Sequence, residues 1–287
     1  MARILYQLAV FSLVWLAVTM LGTAPPLMDA LAAEGLSDLA SAVATLIAAI
    51  LGVLVVQRLL GGPSLGELGC TPPDGQRTAL ALGLALGPLA FGAVLGLEAA
   101  MRAVRIAPGG LGPTALLLAG LTIGCVGAGE ELLMRGVLLR QVMGGWGVRT
   151  AVVVSSLVFA LLHLPNLLTA AAEPAVSAIA LLVLGLLGVV LGLGTVLTRE
   201  LWFPVALHVS WNLAQGPLFG FPISGHPSDG LLQLDVTGAD WLTGGAFGPE
   251  GGLVGLLAVG LCAAALWAYA RAHDVGRRSV PATTPFN

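Results

Sequence analysis

Apolar runs of roughly 20 residues recur along almost the whole chain, near residues 4–23, 39–60, 78–101, 112–134, 150–168, 175–197, 202–219 and 252–271. At 1.5 Å per residue, an α-helix needs about 20 residues to cross a hydrocarbon layer of about 30 Å. The expected fold is therefore all-α, a polytopic membrane bundle of about eight transmembrane helices. The seventh run is the shortest. Composition agrees: 57% of residues are hydrophobic, 9% are charged and the mean hydropathy is +0.96, far from a soluble average.

The net charge is −3 and lysine is absent, so the chain carries no basic footprint for nucleic acid, which is excluded as a partner. Cys70, Cys125 and Cys262 have no short metal-ligand spacing and read as small packing residues. Arg3 precedes a long apolar stretch, and Gly22-Thr23-Ala24-Pro25-Pro26 makes a poor cleavage site, so this stretch reads as the first span rather than a secretory signal. The first connection carries Asp29, Glu34 and Asp38, whereas Arg58, Arg77, Arg271, Arg277 and Arg278 flank the second and last spans. The positive-inside rule then puts both termini in the cytoplasm, with Arg135, Arg140 and Arg149 on that side. Arg102 and Arg105 conflict with that assignment.

The stretch from Gly61 to Gln76, with Pro63, Pro72 and Pro73, reads as a cytoplasmic loop with at most a short interfacial helix. Residues 220–251, rich in Gly, Pro, Ser and Asp, read as an extracytoplasmic loop whose Trp241 and Phe247 rest at the interface. The tail with Thr283 and Thr284 reads as disordered. The chain divides into N-terminal transmembrane helices over 1–110, a core over 111–219, and a loop, last helix and tail over 220–287.

Three of the hydrophobic runs contain polar groups one helical turn apart. An ionisable group near the bilayer centre costs roughly 2.5–3.5 kcal/mol, so clusters of them imply pairing and function. In the fourth run, Glu131 and Arg135 stand at i and i+4 and can form an ion pair, while Glu130 points about 100° away. The two carboxylates thus meet different surroundings, Glu131 ionised beside Arg135 and Glu130 in apolar surroundings that suit it to exchanging protons with water. A bland reading is open too, in which these charges simply lie in the headgroup layer. In the fifth run His163 follows Phe159 by one turn, and Pro165 ends or kinks the helix there; a lone histidine in such a helix is often only a core residue. His208 and Asn212 in the seventh run share a face, as two donors converging on an oxyanion hole would or as hydrogen-bonding glue between helices.

Taken together and in order, Glu-Glu-x-x-x-Arg, Phe-x-x-x-His and His-x-x-x-Asn, each in a separate hydrophobic helix, closely resemble the CPBP (Abi) family of CAAX-processing and bacteriocin-processing endopeptidases. The resemblance runs from about Leu116 to Ala214. It implies a helix bundle around a conical, water-accessible catalytic cavity. It also implies that Glu130 and His163 activate the attacking water, that His208 and Asn212 stabilise the oxyanion, and that Glu131, Arg135 and Phe159 orient the site. The expected activity is hydrolysis of a peptide bond in a membrane-associated peptide or protein, at the cell membrane, without a covalent acyl-enzyme.

Ser210, between His208 and Asn212, stays open as a nucleophile. So does zinc held by Glu130, His163 and His208 as a His₂Glu site, although the three residues come from separate helices and Arg135 would oppose a dication; the metal-free reading is preferred and no cofactor is expected. A proton-coupled transporter is the rival from another class, since buried Glu, His and Arg also mark ion paths, but no second copy of either pattern is present. His226 and His273 are assigned no role.

Overall fold

The computed structural model describes residues 2–33, 35–70 and 77–273. Glu34, Pro72, Pro73, Gln76, Arg277, Arg278, Thr283 and Thr284, used in the readings above, lie outside the described residues.

The helices are α1 (Ala2–Gly22), α2 (Pro25–Ala32), α3 (Ser37–Leu60), α4 (Arg77–Ala100), α5 (Pro113–Glu131), α6 (Arg140–Leu161), α7 (Leu164–Thr169), α8 (Pro174–Thr198), α9 (Trp202–Leu213), α10 (Asp240–Thr243) and α11 (Leu253–Ala272). Four of them, α2, α5, α7 and α8, begin with proline in the first turn, where its missing N–H has no intrahelical partner to lose. Two π-helical stretches, Leu132–Leu139 after α5 and Ala214–Leu218 after α9, continue those helices.

Among the described residues six helices are long and apolar enough to cross a membrane, and the fold is the all-α polytopic bundle expected. One of the six is the 57-residue run Pro113–Thr169. On an unbroken helix Arg135 and Phe159 would stand about 36 Å apart, yet the Arg135 Cζ lies 4.6 Å from the Phe159 ring centre. The chain therefore turns back between them, at Gly147 (φ 81°, ψ 170°), a conformation that glycine adopts without a Cβ penalty. That single run accounts for the fourth and fifth apolar runs of the sequence. The seventh run is α9 with its π-helical extension, which is too short to be among these six helices.

Small residues let the site helices approach closely. A Cβ on Gly127 of α5 would come within 2.9 Å of Val209 on α9, and one on Gly188 of α8 within 2.9 Å of the Ser156 backbone on α6. The largest core cluster joins α4, α8, α9 and α11 around Phe91, Leu187, Leu207 and Trp211. A second, of Phe11, Val53, Leu68 and Leu132, joins α1 and α3 to the π-helical end of α5.

The connections differ from the sequence expectation in two respects. The α4–α5 and α9–α11 connections pair as a two-stranded antiparallel sheet, β1 (Val104–Pro108) with β2 (Leu232–Val236), in which Arg105 faces Asp235. Their side chains are 3.7 Å apart and exposed, so Arg105 has an acidic partner in the sheet. Phe247 does not rest at an interface: it is 1% exposed and packs with Phe159, Leu167 and Val176, because the residues before α11 fold back onto the bundle. Trp241 is exposed. In the linker after α3, Ser64 and Glu67 cap each other reciprocally, with the Ser64 N–H and Oγ each 2.7 Å from Glu67 Oε2, and these bonds hold the Glu67 carboxyl below its usual range.

Candidate active site

The site is built where α5, α6 and α9 meet. Glu131 ends α5 and Arg135 lies in the π-helical turn that follows. Both are fully buried, and Arg135 Nη1 donates to Glu131 Oε1 at 2.9 Å, the ion pair that the i, i+4 spacing predicts. A buried guanidinium needs further acceptors. Arg135 Nη2 finds one in the Gly188 carbonyl at 3.3 Å, and the guanidinium plane lies over the Phe159 ring. The same Gly188 that admits α6 at close range thus supplies a backbone acceptor from α8.

Phe159 is the hub of the aromatic contacts. Its ring, 2% exposed, stands edge-on to His163 at 5.0 Å and to His208 at 5.8 Å between centroids. His163 is the residue capping α7, one residue past the C-cap of α6. Its Nδ1 is 2.9 Å from the Phe159 carbonyl. A carbonyl can only accept, so Nδ1 carries the proton and Nε2 of the neutral ring presents a lone pair. Pro165 starts α7 in its first turn and so ends α6 where the sequence places the break.

His208 comes from α9 and reaches both carboxylates. Its Nδ1 is 2.8 Å from Glu131 Oε1, and its Nε2 faces Glu130 Oε2 at 3.8 Å. The side chains of His208 and Glu131 are 6% and 0% exposed, whereas that of Glu130 is 36% exposed. The neighbouring carboxylates thus diverge, Glu131 into the protein and Glu130 toward an accessible face, as the 100° step between adjacent helical residues requires. Asn212 is half-buried one turn beyond His208 on the same helix. Glu130, Glu131, Arg135, Phe159, His163 and His208 are therefore drawn into one continuous cluster of contacts.

Ser210 takes no part in this cluster. About 200° around α9 from His208, its hydroxyl donates to the Gly83 carbonyl on α4 at 2.7 Å and accepts from the Gly87 N–H at 3.3 Å. These bonds lie one turn before and immediately before Pro88, the proline inside α4. The residue is a polar link between α4 and α9.

Among the described residues no group of three or more His, Cys, Asp or Glu side chains is arranged to hold a metal ion. Glu131 is engaged by Arg135 and His208, and His163 Nδ1 by a backbone carbonyl. His226 lies in a β-bridge with Ile223, and His273 stacks on Tyr269.

A buried polar cluster that no sequence spacing signals adjoins the site. Glu250, from the segment before α11, accepts from Trp211 Nε1 of α9 at 2.9 Å. The separation of 39 positions between the partners leaves no periodicity to read.

Residues 112–214, spanning α5 to the start of the π-helical end of α9, match the family model described as type II CAAX prenyl endopeptidase, Rce1-like. The match covers less than half of the chain, and over that segment the protein is similar to this family of endopeptidases, while its long apolar helices fit a multi-pass membrane protein. No curated protein and no solved structure matches the chain.

Proposed function

We propose that this protein is a CAAX-protease-like intramembrane endopeptidase that uses glutamate and histidine to cleave a membrane-associated peptide or protein. The observation that carries the reading is the divergence of Glu130 and Glu131 around His208, one carboxylate accessible and the other buried against Arg135.

In this mechanism Glu130 removes a proton from a water held with it by the His163 Nε2 lone pair, and the hydroxide attacks the scissile carbonyl carbon. The oxyanion is held by His208 Nε2–H and the Asn212 amide. Because His208 Nδ1 also donates to Glu131, Nε2 donates only when the ring carries both protons. Collapse of the tetrahedral intermediate breaks the C–N bond, and Glu130 returns its proton to the leaving amine. Glu131, Arg135 and Phe159 hold the imidazoles in place. No step passes through a metal ion.

The core over 111–219 carries the chemistry in this reading, the protein resides in the cell membrane, and both termini face the cytoplasm. Glu130→Gln in reconstituted membranes is expected to abolish turnover of a cleavable peptide; retained turnover would overturn the mechanism. Labelling of a cysteine introduced at Asp229 by an impermeant maleimide in intact cells tests the orientation, and labelling only after lysis would reverse it.

A further inference from the structure

The segment 220–252 packs back against the bundle and ends in a carboxylate aimed at α9. Glu250 is 2% exposed. Its Oε1 accepts from Trp211 Nε1 at 2.9 Å, and its Oε2 from the Ser224 N–H at 3.0 Å, the Ser224 hydroxyl at 2.6 Å and Gln215 Nε2 at 3.4 Å. All four partners are donors, which suits an acceptor-only carboxylate. Two of them, Trp211 and Gln215, belong to α9 and to the π-helical turn that continues it. Gln215 also donates to the Pro222 carbonyl at 2.6 Å, so both the helix and its wider final turn are tied to the same segment.

Trp211 stands three residues after His208 and one before Asn212. Its indole is fully buried and edge-on to Phe91 of α4, 4.7 Å between centroids. The apolar contact fills space in any of several small rotations, whereas the Nε1–H bond has one direction. We propose that Glu250 is a positioning residue for the site: through Trp211 and Gln215 it fixes the rotation of α9 about its own axis, and so the points at which His208 and Asn212 present their donors. The proposal rests on the reading of those two residues as oxyanion donors. A rotation of roughly 10° moves atoms about 5 Å from a helix axis by about 1 Å, and a misplacement of about 1 Å is enough to cost on the order of a hundredfold in rate.

The test compares Glu250→Gln, Trp211→Phe and the double variant with the wild type in nanodiscs. Glutamine keeps the shape but turns an NH₂ group toward donors whichever way it is flipped, and Trp211→Phe keeps an aromatic ring beside Phe91 without the N–H. Two quantities are read: the imidazole ¹⁵N signals of His208, assigned by their loss in His208→Gln, and kcat and KM for a cleavable peptide. The expected result is a shifted His208 signal in both single variants without substrate, and a kcat lowered about 10- to 100-fold with KM within about twofold. The double variant should lose no more than Glu250→Gln alone, because both remove the same link.

An unmoved His208 signal with unchanged kcat in folded variants overturns the proposal. So does a lower melting temperature with kcat per folded molecule intact, or failure of both single variants to fold, since each assigns Glu250 to stability alone. A wild type that cleaves no peptide sinks the hydrolase reading instead, and the His208 signal still decides whether Glu250 sets α9.

Discussion

Glu131 and His208, 77 residues apart in the chain, are joined by a buried bond of 2.8 Å between Oε1 and Nδ1. The same oxygen accepts from Arg135 at 2.9 Å. One carboxylate therefore fastens α5 to α9, orients the imidazole and neutralises the Arg135 guanidinium.

Breaking one member of a buried ion pair leaves the other charge without compensation, which typically costs about 3–5 kcal/mol. Glu131→Ala is expected to destabilise the protein by about that amount, and Glu131→Ala with Arg135→Ala by less than the sum of the singles. Equilibrium unfolding in detergent measures both. Strict additivity would mean that the two side chains act independently.

Phe159 contributes area and a π face together. Phe159→Leu retains most of the apolar volume but loses the surface under Arg135 and the edges toward both imidazoles. A loss of about 1–2 kcal/mol is expected from the cation–π contact and reduced packing, with kcat falling more than KM rises. Thermal melting and steady-state kinetics on one preparation would separate the effects; unchanged kcat would restrict Phe159 to packing.

Ser210 and Glu130 separate a serine mechanism from the one proposed. Because the Ser210 hydroxyl is bonded to α4, Ser210→Ala is expected to lose about 1 kcal/mol of stability while keeping its turnover, and serine-directed fluorophosphonates should leave the protein unlabelled. Glu130→Gln should be folded and inactive. Loss of activity in Ser210→Ala at normal stability would reopen the nucleophile question.

The proposed chemistry requires no zinc. Purified, active protein is expected to contain far less than one equivalent by elemental analysis, and chelation should leave turnover unchanged. Stoichiometric zinc, with activity lost on its removal and restored on its return, would require the Glu130, His163 and His208 side chains to regroup around the ion.

The bundle and the pairing of Glu131 with Arg135 were legible in the sequence because both depend on local periodicity. Apolar runs long enough for the bilayer predict helices, and i, i+4 spacing puts Glu131 beside Arg135 whatever the rest of the chain does. Even the end of α6 near Pro165 follows from the missing N–H of proline.

Contacts between distant segments carry no such signature. That Glu131 rather than Glu130 turns inward to His208, that Ser210 faces α4, that Gly188 supplies Arg135 with a carbonyl, and that Glu250 and Phe247 return from a polar connection to the site were decided by helix rotation and close approach in three dimensions. Spacing within a helix determines which side chains share its face; only packing between helices determines what that face meets, because a rotation of one residue step exchanges every partner.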